Sequence, residues 1–294
     1  ATDRVRRGEL RGGFRRLPMD SDQDLFRIVK PDERLLMVVG GYGSGKTEIS
    51  VNLALRLAAA GARVQIADLD LVNPYFRCRE ARRLMEHHGI RVVVPPGAQA
   101  WADLPILLPE VQGMIDPPEG SISIFDVGGD DVGATALASL RPRILDGHYQ
   151  LWQVVNSKRP FTGTVDGCIA MQQMIERASR LSVTGLLANS HLVDETTPAD
   201  VLEGWTLSRE ISVRTGLPVR ALSVMGGLAE SPEIAPLKIP KLRLERHMLP
   251  PWLQHGDANE DTDDDAPLPA GRPVPIGRRD HLNPRGPIQP GRRK

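Results

Sequence analysis

An apolar run, Leu35-Leu36-Met37-Val38-Val39, stops at Gly40-Gly41-Tyr42-Gly43-Ser44-Gly45-Lys46-Thr47, and a helix-compatible segment begins at Glu48-Ile49. This junction constrains the chain more than any other stretch. Glycines allow successive backbone N–H groups to point into one concavity, because no Cβ blocks an approaching anion. A helix starting near Lys46 aims its unsatisfied N–H groups and the positive end of its dipole at the same anion. The spacing G-x-x-x-x-G-K-[ST] is met by Gly40, Gly45, Lys46 and Thr47, which assigns Lys46 to the β- and γ-phosphates of a nucleotide and the Thr47 hydroxyl to Mg²⁺. The candidate cradle is Gly40, Gly41, Tyr42, Gly43, Ser44, Gly45, Lys46, Thr47 and Glu48.

The rest of the chain repeats the same rhythm. Strands are expected at 35–39, 63–67, 91–94, 121–125, 149–155, 183–188 and 219–224, separated by helical patterns at 47–60, 78–87, 103–115, 132–140, 164–181 and 198–215. Strands alternating with helices form βαβ units, so the expected fold is α/β: a mostly parallel seven-stranded sheet with helices on both faces. Residues 25–252 form this nucleotide-binding domain. Residues 1–24 read as a flexible basic arm carrying Arg4, Arg6, Arg7, Arg11, Arg15 and Arg16. Residues 253–294 read as a disordered tail, acidic at 257–265 and then rich in Pro and Arg.

Composition closes off several classes. Lys and Arg total 37 and Asp and Glu total 37, so no net field favours nucleic acid or an anionic membrane. Cys78 and Cys168 are the only cysteines, which argues against a disulfide scaffold and fits a reducing cytoplasm. No apolar run reaches the roughly 20 residues that span a bilayer. The basic arm could supply a nucleic-acid contact, but neither aromatic interleaving nor a helix-turn-helix pattern accompanies it.

In open α/β sheets ligands bind at the carboxyl ends of the strands. Two further strand ends carry acids: Asp68-Leu69-Asp70, and Asp126-Val127-Gly128-Gly129. Magnesium takes hard oxygen ligands and keeps several waters. Asp126, after an apolar β-run and before glycines, is the first choice beside Thr47, and Asp68 the second. Asp70 or Asp68 would orient an attacking water, the alternative for either being to cap the next loop. The Gly129 N–H is placed to sense a γ-phosphate.

The Gly-Gly-Tyr-Gly-Ser-Gly-Lys-Thr loop, Asp68-Leu69-Asp70 and Asp126-Val127-Gly128-Gly129 together resemble the MinD/ParA/CobQ branch of the SIMIBI class of P-loop NTPases, over about residues 32–225. The resemblance implies ATP and Mg²⁺ as ligands, hydrolysis of ATP, and a homodimer with nucleotide near its interface. It implies Lys46, Asp70 and Asp68 as catalytic, Thr47, Asp68 and Asp126 on the metal, and Asn189 on the adenine edge. One departure stands inside the loop. Many members carry a second lysine that reaches the partner's phosphates, and Gly41 occupies its position. Arg77, Arg79, Lys158 and Arg159 are the nearby cations available instead.

The favoured expectation is therefore a nucleotide-dependent switch acting on a protein partner. A phosphoryl-transfer enzyme, with 98–118 as a substrate lid, and a GTPase metallochaperone are the alternatives. A guanine-reading Asn-Lys-x-Asp needs Lys at 190 and Asp at 192, where Ser190 and Leu192 stand. His87-His88 is an isolated pair, and the two cysteines lie far apart in the sequence.

Overall fold

The computed structural model describes residues 23–70, 81–94, 109–129, 131–145 and 148–248. Residues 1–22 of the basic arm, the whole Val72–Arg79 loop with Arg77, Cys78 and Arg79, the larger part of the expected lid, and the C-terminal tail lie outside the described residues. Strand β1 (Leu35–Gly40) is buried along its whole length. Leu36 and Val38 face one layer of helices, and Leu35, Met37 and Val39 face the other. That alternation is the period-two geometry of a strand covered on both sides.

On the first face lie α1 (Gln23–Ile28), α2 (Lys46–Ala59) and α3 (Arg82–His87). On the second lie α4 (Asp131–Leu145) and α5 (Val165–Ser179). Helix α6 (Pro198–Thr215) packs beside α5 and covers the later strands. The remaining strands are β2 (Arg63–Leu69), β3 (Arg91–Val93), β4 (Ser121–Val127), β5 (Tyr149–Val155), β6 (Gly185–Ala188), β7 (Val219–Met225) and β8 (Lys241–Leu244). The order across the sheet is β3-β2-β4-β1-β5-β6-β7-β8, and every described pairing is parallel. The α/β class and the flanking helices are as expected. The sheet has eight strands rather than seven, because Lys241–Leu244 adds an edge strand. Among the described residues no helix is long and apolar enough to cross a membrane.

Strand β1 sits between β4 and β5, so the chain reverses direction across the sheet at β1. The crevice outside that carboxyl end is where α/β proteins hold ligands. Thr197 caps α6 in a full capping box with Asp200, and Thr164 caps α5 by accepting from the Gly167 N–H. Helix α1 falls partly within the stretch read as an arm; its Leu25 and Ile28 are buried in the first face.

Near the amino end of β7, Arg220 donates to Glu33 Oε1 at 2.7 Å and to the Ile28 carbonyl at 2.8 Å. Its guanidinium lies 5.2 Å from the ring centre of the buried Trp152. Removing one member of such a pair leaves the other charge buried alone. Glu33→Ala is therefore expected to lower stability by about 3 kcal/mol, measured as the shift in urea midpoint followed by Trp152 fluorescence.

Candidate functional site

The Gly40–Thr47 loop leaves β1 and folds back over the start of α2. Gly45 is the N-cap of α2 at φ 94°, a left-handed conformation that L side chains rarely adopt. Space is as tight as torsion there: a Cβ at Gly45 would come within 2.3 Å of Asn189 Nδ2. Neighbouring loops hold the cradle by its carbonyls. Asn189, after β6, donates to the Ser44 carbonyl at 2.8 Å, and Arg159, after β5, donates through Nε to the Gly43 carbonyl at 2.7 Å. Lys46 is buried and its Nζ reaches the Gly41 carbonyl at 3.2 Å. Gly129 abuts the same place, since a Cβ on it would lie 2.8 Å from Lys46 Nζ and 2.8 Å from the Tyr42 nitrogen.

The acids lie on the other side of β1. Asp68 of β2 and Asp126 of β4 are directly paired in the parallel ladder, so their side chains emerge side by side on one face. Both are fully buried, and Asp70 is nearly so. Asp68 Oδ1 accepts from the Asp70 N–H at 3.0 Å, and Asp126 Oδ1 accepts from Ser50 Oγ at 3.4 Å. Burial first, and the Asp68 charge second, push the Asp126 carboxyl up to about 7, while Lys46 and Thr47 work in the opposite direction. Asp126 Oδ2 is buried without a hydrogen-bond partner. An orphaned carboxylate oxygen beside the Thr47 hydroxyl and a second acid fits a hard divalent cation. Among the described residues no group of three or more His, Cys, Asp or Glu is placed to hold an ion by itself.

A cleft of about 590 Å³ runs across these elements. Gly41–Gly43, Gly45–Thr47, Asp70, Arg159, Asn189 and His191 line it, as do Phe161, Met171, Ser223, Leu244 and Met248. Of the expected site residues, the cradle, Asp70 and Asn189 meet in this cleft, with Asp68, Asp126 and Gly129 packed behind it. Glu48 also lines it, although its carboxylate accepts the N–H groups of His247 at 2.7 Å and Met248 at 3.1 Å. Burial holds that carboxyl above its ordinary range. Among the cations, Lys158 turns away and pairs with Asp200 at 2.8 Å and Glu203 at 2.6 Å on α6. Arg159 alone of the described candidates touches the cradle.

Three features were not anticipated. His191 stands next to Gly45, with Nδ1 accepting the Val193 N–H at 3.3 Å, so the neutral ring carries its proton on Nε2. Val193 adopts φ 57°, a strained value for a β-branched residue, in the loop that presents His191. Ser223 Oγ is buried without a partner. A polar residue at a strand end was the available signal for His191; Ser223 lies within β7 and gave none.

No protein-family model matches the chain, and no curated protein matches it. Solved structures similar to it include the cell division protein FtsY from Thermotoga maritima, at 19% identity over 68% of this chain and 67% of that one, with a TM-score of 0.44. The signal recognition particle 54 kDa protein from Aeropyrum pernix K1, in complex with GDP, is similar at 16% identity over 68% of this chain, with a TM-score of 0.44. The signal recognition particle receptor FtsY from Elizabethkingia anophelis is similar at 20% identity over 68% of this chain, with a TM-score of 0.40. The chain spans 43% of the second and 63% of the third.

Burial, reinforced by the Arg159 charge, lowers the His191 pKa from 6.5 to about 4. Between those values an unfolded chain takes up a proton that the native state refuses, so stability falls as pH drops from 6.5 towards 4. Melting temperatures across that range should show the loss, and His191→Gln should flatten it.

Proposed function

We propose that the chain is a Mg²⁺-dependent P-loop ATPase of the MinD/ParA/CobQ type, working as a nucleotide-dependent switch on a protein partner. The observation that carries this reading is the convergence of three strand ends. The Gly40–Thr47 cradle from β1 meets the buried Asp68 and Asp126 of β2 and β4, with Gly129 packed against Lys46. Backbone N–H groups and Lys46 would bind the β- and γ-phosphates. Thr47 and Asp126, with Asp68 behind them, would hold Mg²⁺, whose charge neutralises that developing on the phosphoryl oxygens. Asp70, at the cleft wall, would orient the attacking water.

Adenine is favoured over guanine by the chemistry of the loop after β6. Position 190 faces α6, where a Cβ on Gly204 would come within 1.9 Å of Ser190 Oγ, and it holds serine where a guanine-reading lysine would stand. Asn189 remains the base-edge candidate, with its amide nitrogen donating to Ser44. At Gly41 a Cβ would begin 3.3 Å from the Met171 methyl and 3.7 Å from that of Thr162, an apolar setting for a lysine stem. Arg159 is the cation that replaces the absent lysine. The exposed Tyr42 and Phe161 at the cleft mouth support a second copy of the chain facing the nucleotide. The same open mouth supports a second reading, transfer of the phosphoryl group to an acceptor entering there.

Turnover of Mg²⁺-ATP with no acceptor added separates the two. The switch reading expects slow release of phosphate under those conditions, and dependence on an acceptor would replace it with the transferase reading. Lys46→Ala should reduce turnover by at least about 100-fold, the scale on which losing a charge-stabilising donor acts. Arg159→Ala should reduce it too, whereas Lys158→Ala should leave it unchanged.

A further inference from the structure

Helix α2 carries Glu48, Asn52 and Arg56 four residues apart, on one face. Each holds the backbone of the segment that continues β8. Arg56 Nε donates to the Arg243 carbonyl at 2.9 Å. Asn52 binds Glu245 twice, accepting its N–H at 2.8 Å and donating to its carbonyl at 2.9 Å. Glu48 takes the N–H groups of His247 and Met248. The spacings match: four residues of helix rise about 6.0 Å, and two residues of extended chain advance about 6.6 Å. The helix thus pairs with an extended strap through side chains, as one strand pairs with another through backbone.

The strap has period-two polarity. Residues 243, 245 and 247 present backbone groups to α2, while Leu244, Arg246 and Met248 line the cleft. Arg246 reaches across to Asp194 in the loop after β6 at 2.6 Å, joining the strap to the opposite lip. The topology says which part of a nucleotide lies there. The acids stand on β2 and β4, to one side of β1, so the metal and terminal phosphates belong to that side. The strap stands with β6, β7 and β8 on the other side, which leaves it the nucleoside. The buried, unpartnered Ser223 hydroxyl, on β7 beside β8, lines the same cleft and awaits a polar ligand group.

We infer that Glu48 and Asn52 are positioning residues: they hold the 244–248 strap as one wall of a nucleoside subsite, with Ser223 of the neighbouring β7 lining the same cleft. The inference rests on the phosphate-cradle reading above. A strap so held adds affinity for the nucleoside and none for the phosphates.

Calorimetric titration of the full chain with the β,γ-imido analogues of ATP and GTP, and with inorganic tripolyphosphate, all with Mg²⁺, tests this. Asn52→Ala should weaken the tighter-binding analogue about tenfold, the scale of lost buried hydrogen bonds, and leave tripolyphosphate within about twofold of the unaltered chain. Met248→Ala, which keeps the backbone bonds to Glu48, should act in the same direction and serves if Asn52→Ala does not fold. Equal weakening of nucleoside and tripolyphosphate binding, or no change in either, overturns the subsite. If the unaltered chain binds none of the three, the phosphate-cradle reading falls and the inference with it.

Discussion

Asp68 and Asp126 stand side by side, without solvent, on neighbouring parallel strands. Two such carboxylates repel each other, and burial penalises the charge of both. A fold keeps the pair only where positive charge is close. Lys46 supplies part of it from the start of α2, and its Nζ is fixed by the Gly41 carbonyl and the packing of Gly129. The remaining demand, visible in the unpartnered Asp126 Oδ2, is of the kind a divalent cation meets. Cradle, lysine and acids are therefore one electrostatic unit, and each part explains the geometry of the others.

That unit is held from the side by the loops after β5 and β6. A glycine-rich turn has backbone freedom to lose, and side-chain donors on its carbonyls reduce that freedom before a ligand arrives. Asn189 and Arg159 supply them, at Ser44 and Gly43. The charge of Arg159 also reaches the next loop, where it helps keep the His191 ring neutral. The start of α2 is thus shaped by groups more than 100 residues away in the chain.

The Gly40–Thr47 turn was legible because its signal is local: an apolar strand, a glycine-rich turn and a helix start follow one another in fifteen residues. The β2 and β4 acids were legible for the same reason, each ending an apolar run. What escaped depends on contacts between distant segments. Strand β8 is four residues long with Lys241 and Arg243 in it, and only its pairing with β7 and the α2 ladder make it a strand. Helix α1 is too short to stand on propensity, and its burial holds it in place. Lys158 and Arg159 are adjacent cations with the same signature in sequence. The turn after β5 sends one to the carboxylates of α6 and the other to the cradle.

The same turn bears on Gly41. A cation that serves the phosphates can start from the cradle itself or from a neighbouring loop, and the surroundings of the starting point decide which is possible. At Gly41 the direction a side chain would take is lined by the methyl groups of Met171 and Thr162, so α5 roofs that part of the loop. Thr162 is fixed in turn by donating to the Asn156 carbonyl at 2.8 Å, and Asn156 Oδ1 accepts the Lys158 N–H at 3.0 Å. The roof and the turn that carries Arg159 are thus built from one hydrogen-bonded segment, 156–162. The apolar surroundings of Gly41 and the delivery of an arginine to Gly43 are consequences of the same local structure.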